Sequence, residues 1–195
     1  MPDLEHQAEI DAYYLADPAH QRAAGVMWPA IVERRINKLF EAALRKDPVL
    51  QKELFRPSGP LGTYGVKVRL SYMFGWFGKD VFDDLILIGK IRNRFAHAIE
   101  AKDFSDQQIA TWLRNMNAFR ILPPMLDRAK QQAKDDPKAP ALAKVLILEH
   151  ALEGDHMGFR WCISQMIHQL DRCHTNMVKN LSALPGNWMV ADEKK

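Results

Sequence analysis

The chain has few cysteines, no long apolar run and no large excess of charge of either sign. Its two cysteines, Cys162 and Cys173, would lie about 16 Å apart on one helix, too far for a disulfide. Two reduced thiols suit a reducing compartment. Apolar runs such as residues 85–88 are far too short to span a membrane. The acidic N-terminus also lacks the parts of a signal peptide. We therefore expect a cytoplasmic protein with no membrane segment.

The charge is close to balance, with 27 basic and 24 acidic side chains among 195 residues. A general duplex-DNA binder needs a concentrated basic surface, because it must neutralise phosphates. The composition therefore argues against strong non-specific binding to nucleic acid. Any DNA contact is expected to be indirect or weak.

An alternating strand pattern and an internal repeat are also missing. Apolar residues instead recur every three or four positions, which indicates helices. In the last third of the chain the recurring positions are Phe159, Ile163, Met166, Leu170, Cys173 and Met177. This spacing predicts a seam that packs on another helix. We expect an all-α, single-domain bundle of about six to eight helices over residues 23–184. Residues 1–22 and 185–195 are predicted to be an N-terminal extension and a C-terminal tail.

Local signals predict the helix boundaries. We expect one helix from Trp28, with Pro29 in its first turn, and a short helix over residues 49–54. Thr63 is the predicted N-cap of the next helix. The predicted apolar face of that helix consists of Val66, Leu70, Met73, Phe74 and Phe77.

Later in the chain, a helix is predicted from Lys79 or Asp80, and its packing side comprises Leu85, Ile88 and Phe95. Ser105 is the predicted N-cap of a capping box with Gln108. A helix in the last third is expected to pack through Leu142, Val145, Leu146 and Leu152, with a break within residues 154–158.

Two familiar kinds of site do not fit the sequence. A helix-turn-helix would place the start of its second helix in the DNA groove, but Asp80, Asp83 and Asp84 stand there and would repel phosphates. Two acid-and-histidine clusters lack zinc-site spacing. These clusters are Glu149, His150, Glu153, Asp155 and His156, and His168, Asp171 and His174. We therefore expect neither a metal nor another cofactor.

The strongest chemical signal is Arg92-Asn93-Arg94-Phe95-Ala96-His97, which closes a predicted helix. It groups a fixed cation, an amide and an imidazole within about two helical turns. Asn93 and His97 share a helix face, whereas Arg92 lies about 140° from His97. A compact site would therefore need two chains meeting across a two-fold axis. Alternatively, Arg92 and His97 only bind the last carbonyls of their helix.

A longer block around this segment resembles the mannitol operon repressor family. The likeness rests on Gly59-Pro60-Leu61-Gly62-Thr63, Val66-Lys67-Val68-Arg69-Leu70, Gly75, Asp83-Asp84-Leu85, Ile88, Ile91-Arg92-Asn93, Phe95-Ala96-His97 and Phe104-Ser105-Asp106. The resemblance implies an all-helical cytoplasmic transcriptional regulator without an ordinary DNA-reading motif.

The segment from Arg92 to His97 is also similar to the Arg-x4-His signature of HEPN domains. These are helical bundles that often dimerise, and several HEPN families are metal-independent endoribonucleases. The likeness implies that Arg92 would hold the scissile phosphate and His97 would transfer protons, while Asn93 would orient His97.

Two functions follow from these observations. We favour a regulator that acts as a helical homodimer through contacts with another protein and is not an enzyme. The alternative is an endoribonuclease that acts on RNA with Arg92, Asn93 and His97 as catalytic residues across the dimer interface.

Overall fold

Every regular element of the described residues is an α-helix, as predicted. The computed structural model describes residues 21–98, 103–135 and 139–183. In chain order the helices are α1 (Gln21–Ala43), α2 (Pro48–Phe55), α3 (Tyr64–Met73), α4 (Lys79–His97), α5 (Gln107–Arg114), α6 (Asn117–Arg120), α7 (Leu122–Asp135), α8 (Ala139–Ala151) and α9 (Asp155–Ala183). The predicted tail and residues 1–20 of the predicted extension lie outside this part of the chain. None of the described helices is both long and apolar enough to cross a membrane.

The core forms where α1, α4 and α9 pack together. The seam predicted on α9 is confirmed at Phe159, Ile163, Met166 and Leu170, which are all buried. The predicted packing side of α4 is likewise buried. Gly25 on α1 permits a close approach to α4, because a Cβ atom there would lie 2.1 Å from the ring of Phe95. The two cysteines both lie on α9 and are unpaired, as expected from their spacing.

The face predicted for helix α3 is confirmed only in part: Phe77, just beyond the helix, is buried and Leu70 packs against the core, but the other three residues are exposed. Met73 is 77% exposed, and Val66 and Phe74 are exposed too. The buried residues of this helix are Tyr64, Lys67, Val68 and Ser71. Apolar residues occur on both sides of the helix, so periodicity could not identify the packing face. A buried ion pair of Lys67 and a buried hydrogen bond of Tyr64 determine it instead.

Two helix starts also differ from the prediction. Helix α1 already includes Gln21, so Pro29 lies in its interior and removes one backbone hydrogen bond. Trp28, Pro29 and Val32 are buried, and this packing stabilises the helix despite the missing bond. The N-cap of α5 is Asp106 rather than Ser105, because the Asp106 carboxylate accepts from two backbone N–H groups. The hydroxyl of Ser105 donates to Asp103 instead.

A buried carboxylate joins α4 to the short helix α6. Asp84 accepts hydrogen bonds from the backbone N–H groups of Asn117 and Ala118, at 2.6 and 2.8 Å. The side-chain amide of Asn117 donates a third bond, at 3.1 Å. Burial raises the pKa of Asp84 above its ordinary value. From the sequence this residue was considered as a carboxylate that would repel phosphates, whereas in the structure it holds two helices together.

Helices α7 and α8 form a smaller apolar cluster beside the main core. Its buried members are Leu122, Ala129, Leu148 and Ala151. Helix α8 is apolar on its outer side as well, where Leu142, Leu146 and Ile147 are 49, 66 and 60% exposed. Leu152, just beyond the helix, is also exposed. The prediction that Leu142, Leu146 and Leu152 pack inward is therefore wrong, because apolar residues occur on more than one side of α8 and the side with Leu148 and Ala151 meets α7.

Candidate functional site

A polar cleft lies between the start of α3 and the second half of α4. Its volume is about 480 Å3. Its lining combines three cationic side chains with glycine-rich backbone and one carboxylate, and comprises Glu33, Gly62, Thr63, Tyr64, Gly65, Arg69, Ile86, Gly89, Lys90, Arg92 and Asn93. The Gly/Pro bend before α3 and the ending of α4, which are distant in sequence, thus form the two walls of one cleft.

Glu33 from α1 sits at this cleft and balances part of its positive charge. Its carboxylate accepts a hydrogen bond from the Lys67 ammonium at 2.8 Å, in a largely buried ion pair. The Arg92 guanidinium approaches the other carboxylate oxygen at 3.6 Å. This second distance exceeds that of a hydrogen bond, so Lys67 is the close partner of Glu33. Arg92 is 34% exposed and keeps N–H groups available for another acceptor.

Tyr64 fixes the spacing between the two walls of the cleft. Its buried hydroxyl donates to the backbone carbonyl of Leu85 at 2.8 Å. Burial, followed by the Glu33 charge, raises the pKa of Tyr64 far above its ordinary value, so the residue stays neutral. The ring lies against Gly89, where a Cβ atom would come within 2.9 Å. A residue larger than glycine at this position would push α3 away from α4.

The cleft contains two of the three residues that the sequence proposed as catalytic. Arg92 and Asn93 line it, whereas His97 does not. His97 lies in the last turn of α4 and is exposed. One chain therefore does not bring all three residues to the cleft, in agreement with their helical spacing. Nothing in the sequence distinguished Glu33, Arg69 or Lys90 as neighbours of this site.

Arg94, which stands between these residues, has a structural contact. Its guanidinium donates to the Asp106 carboxylate through Nη2 at 2.8 Å and Nε at 3.3 Å. This contact lowers the pKa of Asp106. Arg94 thereby ties the end of α4 to the start of α5, and it does not line the cleft.

The position of α4 also bears on the rejected helix-turn-helix. Leu85, Ile88 and Ile91 are fully buried, and Val81 and Phe82 pack against the core near the start of the helix. Lys79 pairs with Asp83 in the first turn. The apolar face of α4 is therefore taken up by the core, and the start of the helix carries the exposed Asp80.

Within the described residues, no three His, Cys, Asp or Glu side chains come together as metal ligands. Among the residues considered for such a site, Asp171 instead approaches the buried Arg35 guanidinium at 3.3 Å. His150 contacts Glu153 at 2.6 Å, which joins only two potential ligands.

A second surface feature, the apolar pocket, lies between α8 and α9. Its volume is about 240 Å3. It is lined by Ile147, His150, Ala151, Met157, Arg160, Trp161 and Ser164. Ile147 also belongs to the exposed side of α8, so the pocket continues that apolar surface. Aromatic, methionine and arginine side chains of this kind are enriched in protein interfaces.

A family model described as Mannitol repressor matches residues 21–182, which include all the helices described above apart from the last residue of α9. The chain belongs to the mannitol repressor family.

A solved structure agrees with this family membership. The fold is similar to a chain from the X-ray structure of the MtlR–HPr complex from Escherichia coli, with a TM-score of 0.54. The match covers 90% of this chain and 99% of that chain, at 17% sequence identity. At this identity the likeness establishes a common fold. No curated protein matches the sequence.

For this member of the mannitol repressor family, the likeness read from residues 59–106 is thus confirmed. The HEPN likeness is a separate matter and stays a prediction. Its three residues are in place along α4, but only Arg92 and Asn93 reach the cleft.

Proposed function

We propose that this mannitol repressor family member regulates gene expression as a helical homodimer that contacts another protein. Three properties support a regulator of this type: the family membership, the near-balanced charge and the exposed carboxylate of Asp80 at the start of α4. A near-balanced charge and an acidic helix start bind phosphates weakly, so we expect a partner to mediate the contact with DNA.

The observation that carries the proposal is the exposed apolar side of α8, together with the apolar pocket beside it. Soluble proteins seldom leave several large aliphatic side chains exposed on one helix unless they bind something there. Leu142 and Leu146, at positions i and i+4, share one side of the helix, and Ile147 follows Leu146 at the edge of the apolar pocket. Trp161 and Met157 in the pocket can receive an apolar side chain of the partner, as in the centre of a protein interface.

We further propose that the partner is a protein of the HPr type. The similar chain of known structure comes from a complex with HPr, and it aligns with nearly its full length. HPr is a phosphocarrier protein, so such a partner would link this regulator to phosphate transfer. In this proposal the HPr-type protein covers α8 and the apolar pocket.

Binding of HPr from the same organism, measured by titration calorimetry, tests this proposal. Ile147→Glu places a charge beside the apolar pocket, and we expect it to weaken binding at least about tenfold. Met73→Glu is the matched control, because Met73 is even more exposed but lies on α3. Circular dichroism should show that both variants remain folded. Equal affinities of all three proteins would reject α8 as the site, and lack of binding by the unsubstituted chain would reject the partner.

The mass of the chain in solution tests the homodimer separately. If Ile147→Glu converts a dimer into a monomer, the α8 surface is the interface between two copies rather than the partner site. A mobility-shift assay with the promoter region of the regulated operon tests the indirect contact with DNA. Tight, sequence-specific binding by the isolated protein would contradict it.

The endoribonuclease remains the alternative function, since Arg92 and Asn93 line an open polar cleft. It requires His97 of one copy to approach Arg92 of another. Incubation with total RNA in the presence of a chelator, beside His97→Ala, tests this requirement. Cleavage that disappears in the variant would favour the enzyme, whereas equal cleavage or none would remove it.

A further inference from the structure

We propose that the cleft between α3 and α4 binds the phosphoryl group of a small phosphate ester. The site is formed by Arg69, Lys90 and Arg92, with Asn93 beside them. It lies on helices other than α8, so it would serve as an effector site in addition to the proposed partner surface.

The charge balance of the cleft is the first reason. Three cationic side chains face one carboxylate, that of Glu33. The Lys67 ammonium already lies 2.8 Å from this carboxylate, and both side chains of this ion pair are largely buried. Glu33 is thus shared between Lys67 and Arg92, and it has no ion pair with Arg69 or Lys90 among the described residues. Since the whole chain carries only three more basic than acidic side chains, this is a notable local concentration.

The hydrogen-bonding capacity of these side chains is the second reason. Arg92 is 3.6 Å from Glu33 and can turn its planar guanidinium to an anion without breaking a hydrogen bond. Lys90 is exposed, and no hydrogen bond or ion pair among the described residues involves it. Arg69 lies across the cleft, where one N–H group donates to the carbonyl of Gly65 at 2.9 Å and the others remain available. Together they can bind a phosphoryl group from both walls.

The size of the cleft favours an ester over inorganic phosphate. About 480 Å3 falls within the usual range for sites that bind small organic molecules. Gly62, Gly65 and Gly89 line the walls, and a Cβ atom at each would collide with neighbouring atoms of the walls, so glycine keeps the cleft in this shape. A nucleic acid fits less well, because a polyanion needs a long basic track and the chain is close to neutral overall.

Titration calorimetry on the full chain, with glucose 6-phosphate, inorganic phosphate and glucose as probes, tests the proposal. We expect both phosphates to bind at millimolar concentration or below, with the ester tighter, and glucose not to bind. Lys90→Gln and Arg92→Gln should each weaken binding about tenfold, the loss expected for one charge-assisted hydrogen bond. Lys52→Gln on α2 removes an exposed cation outside the cleft and should leave the affinity unchanged. Raised salt should weaken binding of both phosphates.

Several results would overturn the proposal. Failure of both phosphates to bind at millimolar concentration is one, and equal affinities of Lys90→Gln and the unsubstituted protein is another. Lys90 is exposed, so this variant avoids the question of folding that Arg92→Gln raises. A short single-stranded RNA that binds more tightly than glucose 6-phosphate, and loses affinity in Lys90→Gln, would assign the cleft to RNA instead. These outcomes are independent of HPr binding, so the two proposals can fail separately.

Discussion

Replacing Asp106 by alanine should destabilise the protein more than the same change at Asp47, although both residues are helix N-caps. Asp47 caps α2 by accepting from the N–H groups of Val49 and Leu50. Asp106 caps α5 through an equivalent pair of bonds and also accepts two bonds from Arg94. Asp47→Ala is therefore the matched control for the contact between Asp106 and Arg94.

The magnitudes follow from these contacts. Loss of an aspartate N-cap costs about 1 kcal/mol, which is the value expected for Asp47→Ala. A hydrogen bond to a charged partner contributes about 1.5–3 kcal/mol. Because Arg94 is one-third exposed, water screens the contact and we reduce its share to about 1 kcal/mol. Asp106→Ala should thus lower the free energy of unfolding by about 2 kcal/mol, twice the effect of the control.

The same contact predicts a pH dependence. The Arg94 hydrogen bond lowers the pKa of Asp106 in the folded state. The contact between Asp106 and Arg94 therefore makes its full contribution to the free energy of unfolding above the pKa of Asp106 in the unfolded chain, about 4. This contribution is lost as the pH falls through the lower pKa of the folded state. The stability difference between the unsubstituted protein and Asp106→Ala should narrow below about pH 4.

Urea unfolding followed by circular dichroism, at neutral pH and at about pH 3, measures both effects. A double-mutant cycle with Arg94→Gln isolates the pair, and we expect a coupling of about 1 kcal/mol. Equal losses for Asp106→Ala and Asp47→Ala, or a coupling near zero, would refute the idea that Arg94 ties α4 to α5. Arg94 would then be a candidate for the same functional site as Arg92 and Asn93.

Three further predictions concern the core. Gly25→Ala should lower the free energy of unfolding by about 1–3 kcal/mol because the new Cβ atom meets the Phe95 ring, although alanine normally stabilises a helix relative to glycine. A rise in melting temperature would contradict this packing. Asp84→Ala should lower the free energy of unfolding by about 2–4 kcal/mol in urea, since two backbone N–H groups of α6 lose their acceptor; a loss below 1 kcal/mol would argue against the cap. Burial raises the pKa of both thiols, but Cys162 is buried and Cys173 only half-buried. A thiol reagent should therefore label Cys173 before Cys162, and equal labelling rates would contradict the placement of α9.

The last turns of α4 illustrate how far the sequence could predict the candidate site. Helical spacing placed Arg92 and His97 on different sides of α4. This inference agrees with the structure, where Arg92 lines the cleft and His97 does not. The binding of phosphate by this segment stays a prediction. The opposite wall of the cleft lies some 25 residues earlier, and no local pattern links the two walls.

Helix α8 illustrates the opposite case. Its apolar residues predicted packing through Leu142, Val145, Leu146 and Leu152, because composition does not distinguish a buried side of a helix from an exposed binding surface. Only the packing of α7 on one side shows that Leu146 and Ile147 remain outside. The error in the sequence prediction therefore coincides with the surface proposed to bind a partner.

The amino-acid sequence by itself determined the all-α class, most helix boundaries, the α9 seam and the family, because these depend on periodicity, caps and neighbouring residues. The tertiary structure alone decided that Lys67 is buried and Met73 exposed, and that Glu33 and Arg92 meet at one cleft. The physical reason is that burial of a charge depends on a partner, and Glu33 lies 34 residues from Lys67 in the chain.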